Sequence, residues 1–135
     1  MESPEVRRRT MQAVKDKNTA IELLVRGWLH ARGYRYRLHR RDLPGCPDLV
    51  FVSRKKAVFI HGCFWHGHQC PRGKRIPKTH TEYWTAKIAR NVARDELARK
   101  KLQQSGWKSK VVWECALTKN PATILQKLAR FLGPE

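Results

Sequence analysis

Apolar residues recur along this chain in two periods. Ile21, Leu24, Val25, Trp28 and Leu29 return every three or four positions, the spacing of one buried helix face. Thr19 and Glu22 stand in capping-box relation at its start, and Gly33 suits its end. Upstream, Pro4 fits the first turn of a shorter Arg-rich helix reaching about Val14. Tyr34, Tyr36 and Leu38 alternate with Arg35 and Arg37, which predicts a half-exposed strand. Beyond the turn Leu43-Pro-Gly-Cys-Pro47, residues 48–52 and 57–60 are apolar runs joined by the basic turn 53–56, a buried hairpin. Residues 61–78 mix Gly, Pro, His and basic side chains, a loop or metal-stapled segment long enough to suggest function. A helix over residues 80–104 follows, with Thr79 and Glu82 as a second capping box and Gly106 closing it. Residues 107–114 read as a strand, apolar at Val111, Val112 and Trp113. Asn120 and Pro121 open a last helix that buries Ile124, Leu125, Leu128 and Leu132. The order after the first helix, α-β-β-β-α-β-α, predicts an α/β fold with a mixed central sheet flanked by helices.

Length and charge narrow this picture. The 135 residues make one domain, with residues 1–18 as a basic arm. Lys and Arg number 29 against 11 Asp and Glu, a formal charge of +18. Such a balance argues against an acidic interaction tail and favours a polyanionic partner, nucleic acid before an anionic membrane. No apolar run approaches about eighteen residues, and no apolar stretch follows the first charges as in a secretory signal. The expectation is a soluble cytoplasmic monomer. In that setting Cys46, Cys63, Cys70 and Cys115 read as metal ligands rather than two disulfides.

The densest chemistry is His61-Gly-Cys-Phe-Trp-His-Gly-His-Gln-Cys70. Cys63, His68 and Cys70 are soft and borderline donors that need a fourth for a closed zinc site. Cys115, past an apolar strand, is the first candidate and Cys46 the second. His61 and His66 are then left as acid–base groups, though either could ligate metal or face solvent. Asp48, at the mouth of a buried strand, either caps a turn or holds a hard cation such as Mg²⁺. Asn91 and Asp95 share a helix stripe with Trp84, Ile88, Ala98 and Leu102. Asp95 could orient His66 or His61, or pair with Arg94 or Arg99 on the surface. Trp28, Trp107 and Trp113 read as core, whereas Phe64, Trp65 and Trp84 among cations divide between core and stacking platforms for bases. Basic clusters at 7–9, 54–56, 72–78 and 99–101 fit phosphate contacts.

Four strings in register carry a resemblance: Leu43-Pro-Gly-Cys-Pro-Asp-Leu-Val50, then Val58-Phe-Ile-His-Gly-Cys-Phe-Trp-His66 with Cys70, then 81–95, then Val112-Trp-Glu-Cys-Ala-Leu117. From about Arg8 to Leu117 the chain resembles the very-short-patch-repair (Vsr) mismatch endonucleases. The resemblance implies a restriction-endonuclease-like sheet with a structural zinc. It implies Mg²⁺-dependent nicking of double-stranded DNA 5′ of the T in a T:G mismatch, in a nucleoid-associated bacterial enzyme with possible mismatch-repair protein partners. Position by position, it makes Asp48 the Mg²⁺ carboxylate and the Ile60 carbonyl a further ligand. His66 becomes the general base paired with Asp95, and His61 acts near the scissile phosphate. Cys63, His68, Cys70 and Cys115 become the zinc ligands, and Phe64, Trp65 and Trp84 intercalate. Glu22 falls on an acidic position near the site, and Asn91 on a polar position facing DNA. The chain departs from the family pattern at Ile60, where the family carries Thr, at Gly67 and Gln69 in place of His, and at Cys46 in place of a basic residue. The same residues also admit a non-catalytic zinc-stabilised DNA-binding protein, or a restriction-type nuclease with another target.

Overall fold

The computed structural model describes residues 20–134. The basic arm, the helix to Val14 and the Thr19 end of the first capping box lie outside them. Helix α1 (Ala20–Ala31) leads into strand β1 (Arg37–Leu38) and strand β2 (Leu49–Phe51), and a single 3₁₀ turn (Val52–Arg54) leads to strand β3 (Lys56–His61). A short helix α2 (Pro71–Lys74) precedes the long helix α3 (Thr81–Gln104). Strand β4 (Lys108–Trp113), helix α4 (Glu114–Lys119) and helix α5 (Pro121–Leu132) complete the fold. Among these, no helix is long and apolar enough to cross a membrane.

The sheet runs β1-β2-β3-β4. The first three strands are antiparallel, with Leu49 opposite Val58. Strands β3 and β4 are parallel, from Lys56 opposite Lys108 to His61 opposite Trp113. Strand β3 is therefore interior and covered on both faces, which is why it reads as an unbroken apolar run. On one face Leu49, Val58, Ile60 and Val112 meet Val25 and Leu29 of α1, Leu117 of α4, and Leu125, Leu128 and Leu132 of α5. On the other, Ala57 and Phe59 meet Leu102 of α3 and Trp107. The 24-residue α3 buries only Ile88, Ala98 and Leu102. It is a charged rod of about 36 Å laid across one face.

Several predicted boundaries shift, each for a local reason. Tyr34 and Tyr36 do not pair as a strand. The Tyr34 N–H closes α1 on the Leu29 carbonyl, its hydroxyl donates to the Gly133 carbonyl at 2.6 Å, and both rings pack edge-on to Phe51. Leu24, placed on the buried stripe by periodicity, is 48 % exposed; the buried stripe is Glu22, Val25 and Leu29. The second capping box does not form. His80 enters α3 in a left-handed conformation, and the Thr81 hydroxyl turns back to the carbonyls of Pro77 and Lys78. Pro121 sits in the first turn of α5 as expected, but the Asn120 side chain makes no cap. Glu114 starts a helix rather than ending a strand, and six-residue α4 is too short to show a period. Arg54 and Lys56, read as phosphate contacts, bond the Phe131 and Leu132 carbonyls. They neutralise the C-terminal end of α5, where the helix dipole attracts cations.

Candidate active site and metal centre

The parallel pairing of β3 and β4 brings Cys63, two residues past β3, beside Cys115, in the first turn of α4. The Cys115 N–H donates to Cys63 Sγ at 3.4 Å, and His68 Nδ1 lies 3.4 Å from Cys115 Sγ. The Gly73 N–H donates to Cys70 Sγ at 3.4 Å, and the Cys63 N–H donates to Glu114 Oε1 at 3.3 Å. Cys63, His68, Cys70 and Cys115 thus present one ligand atom each, all within 4.8 Å of one another, and Cys46 stands apart in its turn. Burial pushes the Cys63 thiol up to about 12, helped by its thiol neighbours. At Cys70 burial opposes ionisation, but hydrogen bonds from His68, the Gly73 N–H and the neighbouring thiols outweigh it and bring the thiol down to about 6. Three thiols and an imidazole at this spacing suit a four-coordinate soft cation. Two glycines permit the fold of the loop. A Cβ at Gly73 would stand 2.0 Å from the His68 carbonyl oxygen. At Gly67, φ is +59°, and a Cβ would meet Ile88 and Val92 at 2.9 Å.

The same loop carries a second cluster. His66 Nδ1 lies 2.7 Å from Asp95 Oδ2 across from α3, so the Asp95 carboxylate serves the histidine, while Arg94 turns to Asn91 Oδ1. The His61 and His66 rings are parallel to within 2° at 3.6 Å. His61, at the end of β3, is 3 % exposed, and its Nδ1 is buried without a hydrogen-bond partner. Burial, then the charge of His66, lowers its pKa to about 3, so its ring is neutral near pH 7. Trp113, read as core, instead stacks on His68 at 4.2 Å and meets His61 edge-on at 5.1 Å. It is a shared wall between the thiol cluster and the histidine pair.

A third cluster lies at the same end of β3. The Ile60 N–H donates to Asp48 Oδ2 at 2.7 Å. Glu22, 1 % exposed in α1, bonds His39 Nε2 at 2.6 Å, and that nitrogen is 3.8 Å from Asp48 Oδ1. Glu22, His39 and Asp48 could jointly hold a cation. His39 carries no signal in the sequence, being one base in an Arg-rich stretch. Asp48 therefore does more than cap a turn: it ties β2 to Ile60 and faces two other ligand-type side chains.

The aromatic residues group beside these clusters. Phe64, Trp65 and Trp84 lie with ring centroids 5.1 to 5.9 Å apart, all half-buried. Tyr83, 53 % exposed, joins Trp84, and Lys87 Nζ caps Trp65, Trp84 and Tyr83 at 5.4 to 5.8 Å. Tyr83 and Lys87 were legible as neighbours of Trp84 on α3 by their spacing, but not as part of an aromatic surface. Asn91 directs its amide inward, donating to the Trp65 carbonyl at 3.0 Å, and so fixes the loop that carries the rings.

A mixed sheet with carboxylates and imidazoles gathered at one strand end, in a chain of charge +18, has the architecture of a nuclease. The chain belongs to the Vsr family of DNA mismatch endonucleases, whose model, "DNA mismatch endonuclease Vsr", matches residues 1–72. It is 53 % identical over 133 residues to the type II nicking enzyme V.XorIIP of Xanthomonas oryzae pv. oryzae, covering 98 % of this chain and 96 % of the relative. It is 43 % identical over 122 residues to the type II nicking enzyme V.NmeAIP of Neisseria meningitidis, covering 90 % and 86 %. It is 42 % identical over 111 residues to the DNA mismatch endonuclease Vsr of Escherichia coli, covering 82 % and 70 %.

Proposed function

We propose that the chain nicks one strand of double-stranded DNA 5′ of the T in a T:G mismatch, using Mg²⁺ for chemistry and Zn²⁺ for structure. The observation that carries this reading is the His66–Asp95 pair, stacked on a buried neutral His61 at the end of the strand whose Ile60 N–H binds the Asp48 carboxylate. With its Nδ1–H donating to Asp95, His66 presents Nε2 to take a proton from the attacking water. Asp95 holds the ring's orientation and stabilises the imidazolium that forms. His61 blocks rotation of His66 by stacking and presents a neutral ring near the scissile phosphate.

Asp48 and the Ile60 carbonyl would hold Mg²⁺, whose chemistry when bound is to polarise the phosphate and stabilise the leaving oxygen. Their placement suits this. In an extended strand the N–H and C=O of one residue face the same edge, and the Ile60 N–H faces Asp48. A backbone ligand also makes the identity of the Ile60 side chain immaterial. Cys63, His68, Cys70 and Cys115 would hold Zn²⁺, fixing the loop that bears His66 and the rings.

Phe64, Trp65 and Trp84 form the wedge. Inserting rings between base steps requires unstacking, which is cheapest where pairing is already defective. The family and the relatives named as nicking enzymes support strand cleavage over mere binding. The test uses a T:G duplex labelled on each strand in turn, with Mg²⁺. The expected product is a single cut immediately 5′ of the mismatched T, absent with Asp48→Ala. Cuts in both strands, or undiminished cutting by Asp48→Ala, contradict it.

A further inference from the structure

We propose that His39 supplies a nitrogen ligand to the cation site of Asp48 and Glu22, so that the site that uses Mg²⁺ for nicking also accepts Mn²⁺ or a similar nitrogen-tolerant divalent ion, and binds it more tightly. The inference rests on the reading of Asp48 as a metal ligand and goes beyond it. His39 Nε2 lies 2.6 Å from Glu22 Oε1 and 3.8 Å from Asp48 Oδ1, and one ligand atom from each residue lies within 4.8 Å of the other two. Two carboxylates and an imidazole converging at this distance are a three-donor set from three separate elements.

The position of His39 is imposed rather than incidental. It follows β1 with φ at +45°, a conformation sparsely populated by residues other than Gly. Its N–H is bound to the carbonyl of Asp48 itself at 3.1 Å. The backbone that carries the carboxylate thus also fixes the imidazole. With 18 % of its side chain exposed, His39 leaves the site a path to solvent through which a hydrated ion could enter. The carboxylates are almost fully covered.

The donor set determines the ion. An all-oxygen site suits Mg²⁺, which also keeps several waters, whereas an imidazole raises the affinity of transition ions relative to Mg²⁺. Mn²⁺ accepts both carboxylate and imidazole and can stand where Mg²⁺ stands in a phosphodiester-cleaving site.

The experiment uses the full chain with its zinc retained, and Mn²⁺ as the probe. Pulsed electron paramagnetic resonance of bound Mn²⁺ reads nitrogen coupling, and titration with Mg²⁺ as competitor reads preference. Wild type and His66→Gln should both show an imidazole nitrogen coupled to Mn²⁺. His39→Gln should lose that coupling and about tenfold in Mn²⁺ affinity, with Mg²⁺ affinity changed less than about threefold. The proposal is overturned by a wild-type spectrum without nitrogen coupling, by coupling that survives His39→Gln, or by equal losses of Mn²⁺ and Mg²⁺ affinity. Equal losses would mean that His39 only positions Glu22. Asp48→Asn separates the two levels. If it abolishes Mn²⁺ binding, the site is where we place it; if it binds Mn²⁺ as tightly as wild type, the reading of Asp48 fails as well.

Discussion

His66 and His61 lie in face contact, yet their surroundings assign them different work. His66 is half-buried and bound to a carboxylate; His61 is buried with an unpartnered Nδ1. Asp95→Asn keeps a hydrogen-bonding group but removes the charge that stabilises the His66 imidazolium. Single-turnover nicking should fall by about a hundredfold or more, with the melting temperature nearly unchanged. A large drop in melting temperature would make Asp95 a structural residue instead. His61 links the site to pH. Its folded pKa, about 3, lies below the ordinary 6.5. As pH falls below 6.5 the unfolded chain takes up a proton that the native chain refuses, so stability present above 6.5 is lost on acidification. Denaturant titrations should show the loss from pH 6.5 down to about 3, at up to about 1.4 kcal/mol per pH unit, and His61→Asn should flatten it. The histidines were legible as candidates because the thiol cluster leaves them over, and Asp95 because a stripe with Asn91 and Asp95 is odd for a core. Spacing leaves open which ring Asp95 serves, and only the resemblance gives it as His66, because it depends on how the loop lies across α3. His39 was illegible for the same reason: its partner Glu22 is 17 residues away in sequence and meets it only when α1 packs on the sheet.

The loop between β3 and α3 is the element on which structure and chemistry converge. Three ligand-type side chains of the loop meet Cys115 at the start of α4, and a cation held by the four would fix His66 and the rings. Cys115→Ser should release bound zinc and destabilise the protein, whereas Cys46→Ser, outside the cluster, should do neither. Metal content by atomic absorption, with thermal melts of each variant, reads both. Zinc lost from Cys46→Ser alone would overturn the ligand set. The cluster was readable in the sequence because two thiols and an imidazole crowd within eight residues, Cys63 to Cys70, and Cys115 closes it through a parallel strand pair that periodicity could suggest. Helix α4 and the ends of β1 were not. Six residues do not establish a helical period, and the alternating Tyr34 and Tyr36 are held by packing on Phe51 rather than by strand pairing. Trp113 looked like core for a like reason: an aromatic at the end of an apolar strand is indistinguishable from core until its neighbours are known.

Over the whole molecule the charge of +18 is not one uniform surface. Arg54 and Lys56 bind the end of α5, and Arg99, Lys100 and Lys108 line a basic cavity of about 590 Å³ with Trp107 and Phe131. Others are engaged within the protein, Arg40 with Asp42 and Arg94 with Asn91; under the proposed function the exposed cations left over contact the phosphate backbone, so affinity for any duplex should fall steeply between low and physiological salt. Binding measured on matched and mismatched DNA should show the same salt slope, since backbone contacts do not distinguish the two; unequal slopes would place the discrimination in the charges. The proposed function assigns selection instead to the aromatic surface of Phe64, Trp65 and Trp84, since deformation energy differs between a paired and a mispaired step. Single-turnover nicking of two duplexes that differ only in T:G against T:A therefore tests the account most directly. We expect the T:G strand to be cut on the order of tenfold to a hundredfold faster, with the ratio falling toward unity in Trp65→Ala. Equal rates on the two duplexes in the wild type would contradict it.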